Sequence, residues 1–135
     1  KKLAILATDI SQQVLVQAHN AIYGGDKLQD LPKGWIQKYF DKLDDTNYQV
    51  KKHVRDMVTF RSFNLMNPFR FSRPFEIIFC RNVMIYFDND TKTKLISKLY
   101  DSLEHGGYLF IGHSESISRE TTKFQYVQPA VYRKI

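Results

Sequence analysis

The sequence predicts a doubly wound α/β sheet into which a small antiparallel β-subdomain is inserted. Short apolar runs alternate with segments of helical periodicity, which is typical of parallel strands joined by helices. The run Phe75–Cys80 is almost unbroken and rich in Ile and Phe, which predicts a strand buried on both faces. Polar residues directly follow several of these runs, and ligands bind at that edge of an open α/β sheet.

Length and composition restrict the class of protein. The 135 residues, 43% hydrophobic and 25% charged, suit one globular domain. No apolar run reaches the length of a membrane span, and no signal-peptide pattern opens the chain. The single cysteine, Cys80, excludes an intrachain disulfide and predicts a reducing, cytoplasmic location. The four histidines lack ligand spacing, so no metal site is predicted.

The net charge of +6 is concentrated in one part of the chain. Between Lys51 and Arg73 there are six cations and a single acid, Asp56. Such a basic patch favours an acidic partner: nucleic acid, an anionic membrane surface or an acidic protein. The alternative is a solvated face with no dedicated partner. The six cations are Lys51, Lys52, Arg55, Arg61, Arg70 and Arg73.

The first predicted strand, residues 3–7, leads into a helix that carries four apolar residues on one face and ends at Gly24-Gly25. Asp9 or Ser11 caps this helix. Asp9 has a second interpretation, because a carboxylate at a strand end can accept hydrogen bonds from both hydroxyls of a ribose. The apolar residues of the helix are Val14, Leu15, Ala18 and Ile22.

Residues 26–57 are predicted to form the inserted antiparallel β-subdomain. They combine a short amphipathic piece, residues 36–40, with weakly alternating segments and carry much of the basic patch. The insertion is interpreted either as a surface for docking a partner or as a structural flap over the sheet.

Residues 58–65 predict the next strand, which places Asn64 near its end before Pro68. An amide offers both a donor and an acceptor, which suits the edge of a base such as adenine. After Phe75–Cys80 come Arg81 and Asn82, then an apolar segment that contains Tyr86. We expect Arg81, Asn82 and Tyr86 to contact a ligand.

The remaining elements continue the same alternation. Asp88-Asn89-Asp90 offers N-caps for a helix over residues 91–104, which Gly106-Gly107 ends. Residues 108–112 predict a short buried strand, and residues 124–132 a hairpin or edge pair. We find no G-x-G-x-x-G, P-loop or defensible Ser-His-Asp order. With Asp9, Asn64, Arg81 and Asn82 expected at one sheet edge, an adenosine-containing ligand fits best.

Residues 75–87, Phe-Glu-Ile-Ile-Phe-Cys-Arg-Asn-Val-Met-Ile-Tyr-Phe, resemble the signature of the CheR family of bacterial chemotaxis receptor methyltransferases. Further segments resemble the family in the same order along the chain. They are Ala-Thr-Asp-Ile at 7–10, Phe-Asn-Leu-Met at 63–66, Gly-Gly-Tyr-Leu-Phe-Ile-Gly-His-Ser-Glu at 106–115 and Val-Tyr at 131–132.

The resemblance implies a Rossmann-like domain that binds S-adenosylmethionine and an enzyme that methylates glutamate side chains on the cytoplasmic part of chemoreceptors. By position, Asp9 matches the acid that holds the ribose, and Asn64 and Leu65 match residues beside the adenine. Cys80 and Arg81 match ligand contacts, with Asn82 adjacent. Tyr86 matches the tyrosine near the reacting methyl group. The implied catalytic residues are Tyr86 and Arg81.

The sequence departs from the family pattern in two respects, and each leads to an expectation. The family's first strand with its glycine motif, and an N-terminal helical domain, are expected upstream of Lys1. The loop at residues 41–47 lacks the glycine found in members that recognise a C-terminal receptor pentapeptide, so docking through a pentapeptide is not expected. Two rival functions remain: a regulatory binding module of the same fold, and a nucleic-acid methyltransferase suggested by the basic patch.

Overall fold

The computed structural model describes residues 2–135, which divide into two compact units. The first ends at Asn64, and the second runs from Leu65 to Ile135. The first unit contains, in chain order, β1 (Ile5–Asp9), α1 (Gln12–Asn20), β2 (Ile22–Gly24), α2 (Trp35–Tyr39), β3 (Phe40–Lys42), β4 (Asn47–Val50), α3 (Lys52–Arg55) and β5 (Val58–Ser62).

Two sheets organise the first unit. Strands β1 and β5 are parallel, in a register that pairs Ile5 with Val58 and Asp9 with Ser62. Strands β2, β4 and β3 form a separate antiparallel sheet in that order. This small sheet includes Ile22 to Gly24, so it starts before residue 26, where the insertion was expected to begin.

Helix α1 is shorter than expected. Ser11 is its N-cap, with the hydroxyl accepting the Val14 N–H at 3.2 Å. The helix ends at Asn20 because Ala21 adopts a left-handed conformation, with φ of 54°. Ile22 therefore lies in β2 and not on the helix face, and Gly24-Gly25 does not terminate the helix. The Gln49 side-chain amide donates to the Asn20 carbonyl, so pairing with β4 decides this boundary.

The second unit is built on a four-stranded mixed sheet in the order β6-β7-β9-β8. Strands β6 and β7 are parallel, and the other pairs are antiparallel, which confirms the predicted hairpin near the C-terminus. The elements are β6 (Phe75–Cys80), a 3-10 turn (Met84–Tyr86), α4 (Asn89–Ser102), β7 (Leu103–Ile111), β8 (Gln125–Gln128) and β9 (Val131–Arg133).

Helix α4 packs one apolar face on this sheet and forms the core of the second unit. Leu95, Ile96 and Leu99 are buried against Leu109 and Ile111 of β7. The predicted burial of β6 on both faces is not met within residues 2–135. The side chains on its other face, Ile77 and Phe79, are 51% and 70% exposed, because α4 covers only the opposite face.

The two glycines at 106–107 do not end α4 as expected. The helix ends at Ser102, and Leu103 is already extended and paired with Phe75 of β6. Gly106 and Gly107 lie within β7. A Cβ on Gly107 would lie 2.9 Å from the Glu104 carbonyl oxygen, so this glycine permits close approach of backbone.

No helix formed by residues 2–135 has the length and apolar character needed to cross a bilayer.

Candidate functional site

Asp9 is the last residue of β1 and Asn64 comes two residues after β5, at the same end of the two parallel strands of the first unit. The Phe63 N–H donates to the Asp9 carbonyl at 3.0 Å, which extends the pairing of β1 and β5 to the residue before Asn64. Both residues therefore lie at the carboxyl edge of this sheet, as predicted. That edge is where open α/β sheets bind their ligands.

Asp9 is half-buried and supports the start of α1 without being its cap. Its Oδ1 accepts the Ser11 N–H at 2.8 Å, whereas the Ser11 hydroxyl caps the helix. This hydrogen bond fixes the direction of the carboxylate at the strand end. The geometry suits a side chain that is held in place and presents a charged acceptor.

Leu65 begins the second unit and is tied to α4 by a lysine. The Lys98 ammonium group donates to the Leu65 carbonyl and, at 3.3 Å, to the Asn67 carbonyl. The Leu65 side chain packs against the core of the second unit. The segment around Leu65 is therefore anchored through its backbone.

The segment after β6 holds most of the remaining predicted residues. Arg81 and Asn82 are exposed directly after the strand, and Tyr86, in the 3-10 turn, is 81% exposed. Met84 between them is fully buried and anchors the segment in the core. The segment thus exposes the guanidinium of Arg81, the amide of Asn82 and the phenol of Tyr86 to solvent, while the buried side chain of Met84 anchors it in the core.

Cys80 differs from its neighbours because its thiol is part of the core. Burial, together with the negative charge of Glu115, raises the pKa of the Cys80 thiol to about 11. The thiol is therefore protonated at neutral pH and is a poor nucleophile. If Cys80 contacts a ligand, burial of the thiol leaves its backbone as the contacting group.

Glu115 is the residue that sequence reasoning missed. Its carboxylate accepts backbone N–H groups from Asn82, Met84 and Gly112, at 2.8 to 2.9 Å. Glu115 belongs to the segment 106–115 that resembles the CheR family, but its burial has no signature in the sequence. A glutamate between serines predicts a solvated turn.

Two surface cavities of the second unit lie away from the segment after β6. One is lined by residues of 68–74 and the last turns of α4, and the other lies between α4 and residues 117–123. Neither is lined by Arg81, Asn82 or Tyr86. Within residues 2–135 there is also no cluster of three side chains suited to a metal ion.

The predicted site residues thus fall into two groups that the structure brings together locally. Asp9 and Asn64 share one sheet edge in the first unit, and Cys80, Arg81, Asn82 and Tyr86 share one segment of the second. The expectation that all of them line a single edge concerns both units and stays a prediction.

Residues 1–133 match the family described as CheR methyltransferase, SAM binding domain. Relatives include the chemotaxis protein methyltransferase of Borreliella burgdorferi, 47% identical over 134 residues, which cover 98% of this chain and 47% of that protein. The one from Vibrio anguillarum is 38% identical over 136 residues, 98% of this chain and 50% of that protein. The chain thus spans about half the length of these curated relatives.

A solved structure with a similar fold is the glycopeptide N-methyltransferase MtfA complexed with S-adenosylhomocysteine. The TM-score is 0.51 at 17% identity, over 91% of this chain and 40% of that one. At this level of identity the likeness concerns the fold alone. It confirms the predicted α/β fold.

Proposed function

The chain belongs to the CheR methyltransferase family, in the part described as its S-adenosylmethionine-binding domain. On that premise we propose that the protein transfers a methyl group from S-adenosylmethionine to glutamate carboxylates on the cytoplasmic part of a chemoreceptor. The observation that carries the proposal is the match of residues 1–133 to the family. The exposed cation, amide and phenol after β6 support it.

The residues at the sheet edges suit this cofactor. Asp9, held by the Ser11 N–H, would accept hydrogen bonds from the ribose hydroxyls, and Asn64 with Leu65 would lie beside the adenine. Arg81 and Asn82, both exposed, would contact the remaining part of the cofactor, together with the Cys80 backbone. When bound, the cofactor supplies an electrophilic methyl group on a sulfonium.

The chain's own residues would orient the reaction more than they would activate it. A glutamate carboxylate is ionised at neutral pH, so in-line attack on the methyl group needs no general base. Arg81 would pair with a carboxylate, either that of the cofactor or that of the substrate glutamate, and would hold this carboxylate in a fixed geometry. The Tyr86 ring would add cation–π attraction of about 0.5–2 kcal/mol near the sulfonium, and its hydroxyl would steer the attacking oxygen.

The antiparallel sheet of β2, β3 and β4 is proposed to take part in receptor docking without a C-terminal pentapeptide. The β3–β4 connection is short and organised by Asp44, whose Oδ1 accepts the Thr46 and Asn47 N–H groups at 2.9 and 2.8 Å. These hydrogen bonds lower the pKa of Asp44 to about 2. The proposal places the reaction in the cytoplasm, where the receptor glutamates are.

The test is a methylation assay with the full-length protein, radiolabelled S-adenosylmethionine and a receptor cytoplasmic fragment. We expect label in a base-labile ester on glutamate, and Tyr86→Phe is expected to lower kcat about 10-fold or more. Full turnover by Tyr86→Phe would remove the hydroxyl from the mechanism. Cofactor binding without turnover would favour a regulatory module, and methylation of RNA in place of the receptor would favour a nucleic-acid enzyme.

A further inference from the structure

Glu115 is buried, and among residues 2–135 no cation pairs with its carboxylate. Its side chain is 7% exposed, and it is the buried charged side chain of the second unit. The one ion pair formed within residues 2–135 is Lys52–Asp56, in the first unit. Burying a carboxylate is costly unless hydrogen bonds compensate it. The compensation at Glu115 comes from backbone amides.

Three N–H groups converge on the Glu115 carboxylate. Oε1 accepts the N–H groups of Asn82 and Gly112, each at 2.8 Å, and Oε2 accepts that of Met84 at 2.9 Å. Asn82 and Met84 follow β6, and Gly112 follows β7. One carboxylate therefore links the carboxyl ends of two neighbouring parallel strands.

The backbone of the segment after β6 is irregular. Asn82 has a φ of 61°, a left-handed conformation that is uncommon outside glycine but that asparagine adopts more readily than most residues. The 3-10 turn that follows is three residues long and has no side-chain cap. A Cβ at Gly112 would overlap the side chains of Asn82 and Glu115, so any larger residue there would displace them.

We propose that Glu115 is a positioning residue for methyl transfer, acting through the backbone of the segment that carries Arg81, Asn82 and Tyr86. This inference rests on the proposed function. Met84 anchors the segment in the core through its side chain, whereas Glu115 holds the segment through its backbone. The Glu115 carboxylate accepts the backbone N–H groups at both ends of the Asn82–Met84 stretch. It would thereby constrain the backbone from which the flanking residues Arg81 and Tyr86 project.

The experiment compares three variants of the full-length protein: Glu115→Gln, Glu115→Asp and, as matched control, Glu120→Gln, an exposed glutamate nearby. A glutamine places an N–H donor against one of the backbone donors, so one amide loses its acceptor. S-adenosylhomocysteine affinity is measured by calorimetry, and kcat is expressed per cofactor-binding site. This normalisation removes the contribution of unfolded protein.

We expect Glu115→Gln to lower kcat per site about 10- to 100-fold and to weaken S-adenosylhomocysteine about 3- to 10-fold, because small displacements are costly in an oriented site. KM for the receptor fragment stays within about two-fold, since docking lies elsewhere. Glu115→Asp keeps the charge and recovers part of kcat. Glu120→Gln behaves as wild type.

Glu115→Gln could keep the wild-type kcat per site and the wild-type affinity for S-adenosylhomocysteine and lose only melting temperature. That result would show that Glu115 only stabilises the fold. Should Glu115→Gln not fold, the same comparison is made with Glu115→Asp, where wild-type values overturn the proposal. If the wild type binds S-adenosylhomocysteine but methylates no receptor, the proposed function fails. The affinity of the two Glu115 variants then still decides the role of Glu115.

Discussion

Asp9 stands at the end of β1 with Oδ1 already engaged by the Ser11 N–H. This contact explains its position but does not require a charge, because an asparagine can accept the same hydrogen bond. A ribose with two hydroxyls is held better by a carboxylate than by an amide. Comparing Asp9→Asn, which keeps the Ser11 contact, with Asp9→Ala, which loses it, therefore separates a structural role of Asp9 from a role in ligand binding.

We predict that Asp9→Asn and Asp9→Ala each weaken S-adenosylhomocysteine binding about 10-fold or more in the full-length protein, measured by calorimetry. Asp9→Asn is expected to keep the wild-type melting temperature because the Ser11 contact survives. Asp30→Ala, an exposed aspartate of the same unit, is the control. Unchanged affinity in Asp9→Asn would assign Asp9 to the helix start alone.

Because of Cys80, the free energy of unfolding is expected to fall at alkaline pH. Burial and the charge of Glu115 raise the pKa of its thiol from 9.0 to about 11, so the folded state prefers the protonated thiol. This contribution is complete below pH 9 and disappears as the pH rises through about 11, since the unfolded thiol ionises first.

We predict that the free energy of unfolding of the wild type falls by up to about 2–3 kcal/mol more than that of Cys80→Ala between pH 8.5 and 11. Urea titrations at several pH values measure the difference, and the tyrosines and lysines common to both proteins cancel. Parallel curves for the two proteins would place the thiol in contact with water.

At the scale of elements, α4 depends on its N-cap. Asp88 accepts the Thr91 N–H at 2.8 Å, and hydrogen bonds from Thr91 lower the pKa of the Asp88 carboxyl below its usual value. The stabilisation is therefore present above the pKa of the unfolded carboxyl and is lost as the pH falls through the folded value.

We predict that Asp88→Ala lowers the melting temperature at pH 7 by several degrees, because α4 covers the core of the second unit. Asp88→Asn keeps a capping oxygen, so its melting temperature at pH 7 is expected to change little. Its melting temperature is expected to fall less than that of the wild type between pH 7 and pH 3. Melting curves recorded at pH 7 and pH 3 check both. A melting temperature of Asp88→Ala equal to that of the wild type at pH 7 would mean that the cap contributes nothing.

The position of β7 illustrates the limit of local signals at this scale. Gly106-Gly107 is a strong helix-stop signal, yet α4 ends at Ser102 and the glycines lie inside β7. The parallel pairing of Leu103 with Phe75 extends β7 backward, and Gly107 provides space for the backbone. In the same way, pairing of β2 with β4 ends α1 at Asn20. Both boundaries depend on segments distant in sequence.

At the scale of the whole molecule, the net charge of +6 is expected to affect association with the proposed receptor partner. Of the predicted basic patch, Lys52 is paired with Asp56 at 2.8 Å, and both side chains are largely exposed. Exposed charges act on association more than on stability, and salt screens them.

We predict that raising NaCl from about 50 to 300 mM increases KM for the receptor fragment several-fold while the affinity for S-adenosylhomocysteine stays nearly constant. Lys52→Glu, at a side chain that is 80% exposed in the first unit, is expected to raise KM at low salt, whereas Lys94→Glu at an exposed position of α4 is the control. Steady-state kinetics at both salt concentrations measure this. Equal effects of the two variants would mean that the charge acts without a defined docking surface.

The sequence by itself determined the α/β class, the strand Phe75–Cys80, the C-terminal hairpin and the family, because these follow from local periodicity and a contiguous motif. It also placed Asp9 and Asn64 at the carboxyl ends of strands, and the structure shows these two strands to be neighbours. Only the tertiary structure decided where α1 and α4 end, which face of β6 is covered, and that Glu115 is buried. These features depend on groups far apart in the chain, such as the amides of Asn82 and Met84 that make burial of the Glu115 charge tolerable. No local pattern encodes such a convergence.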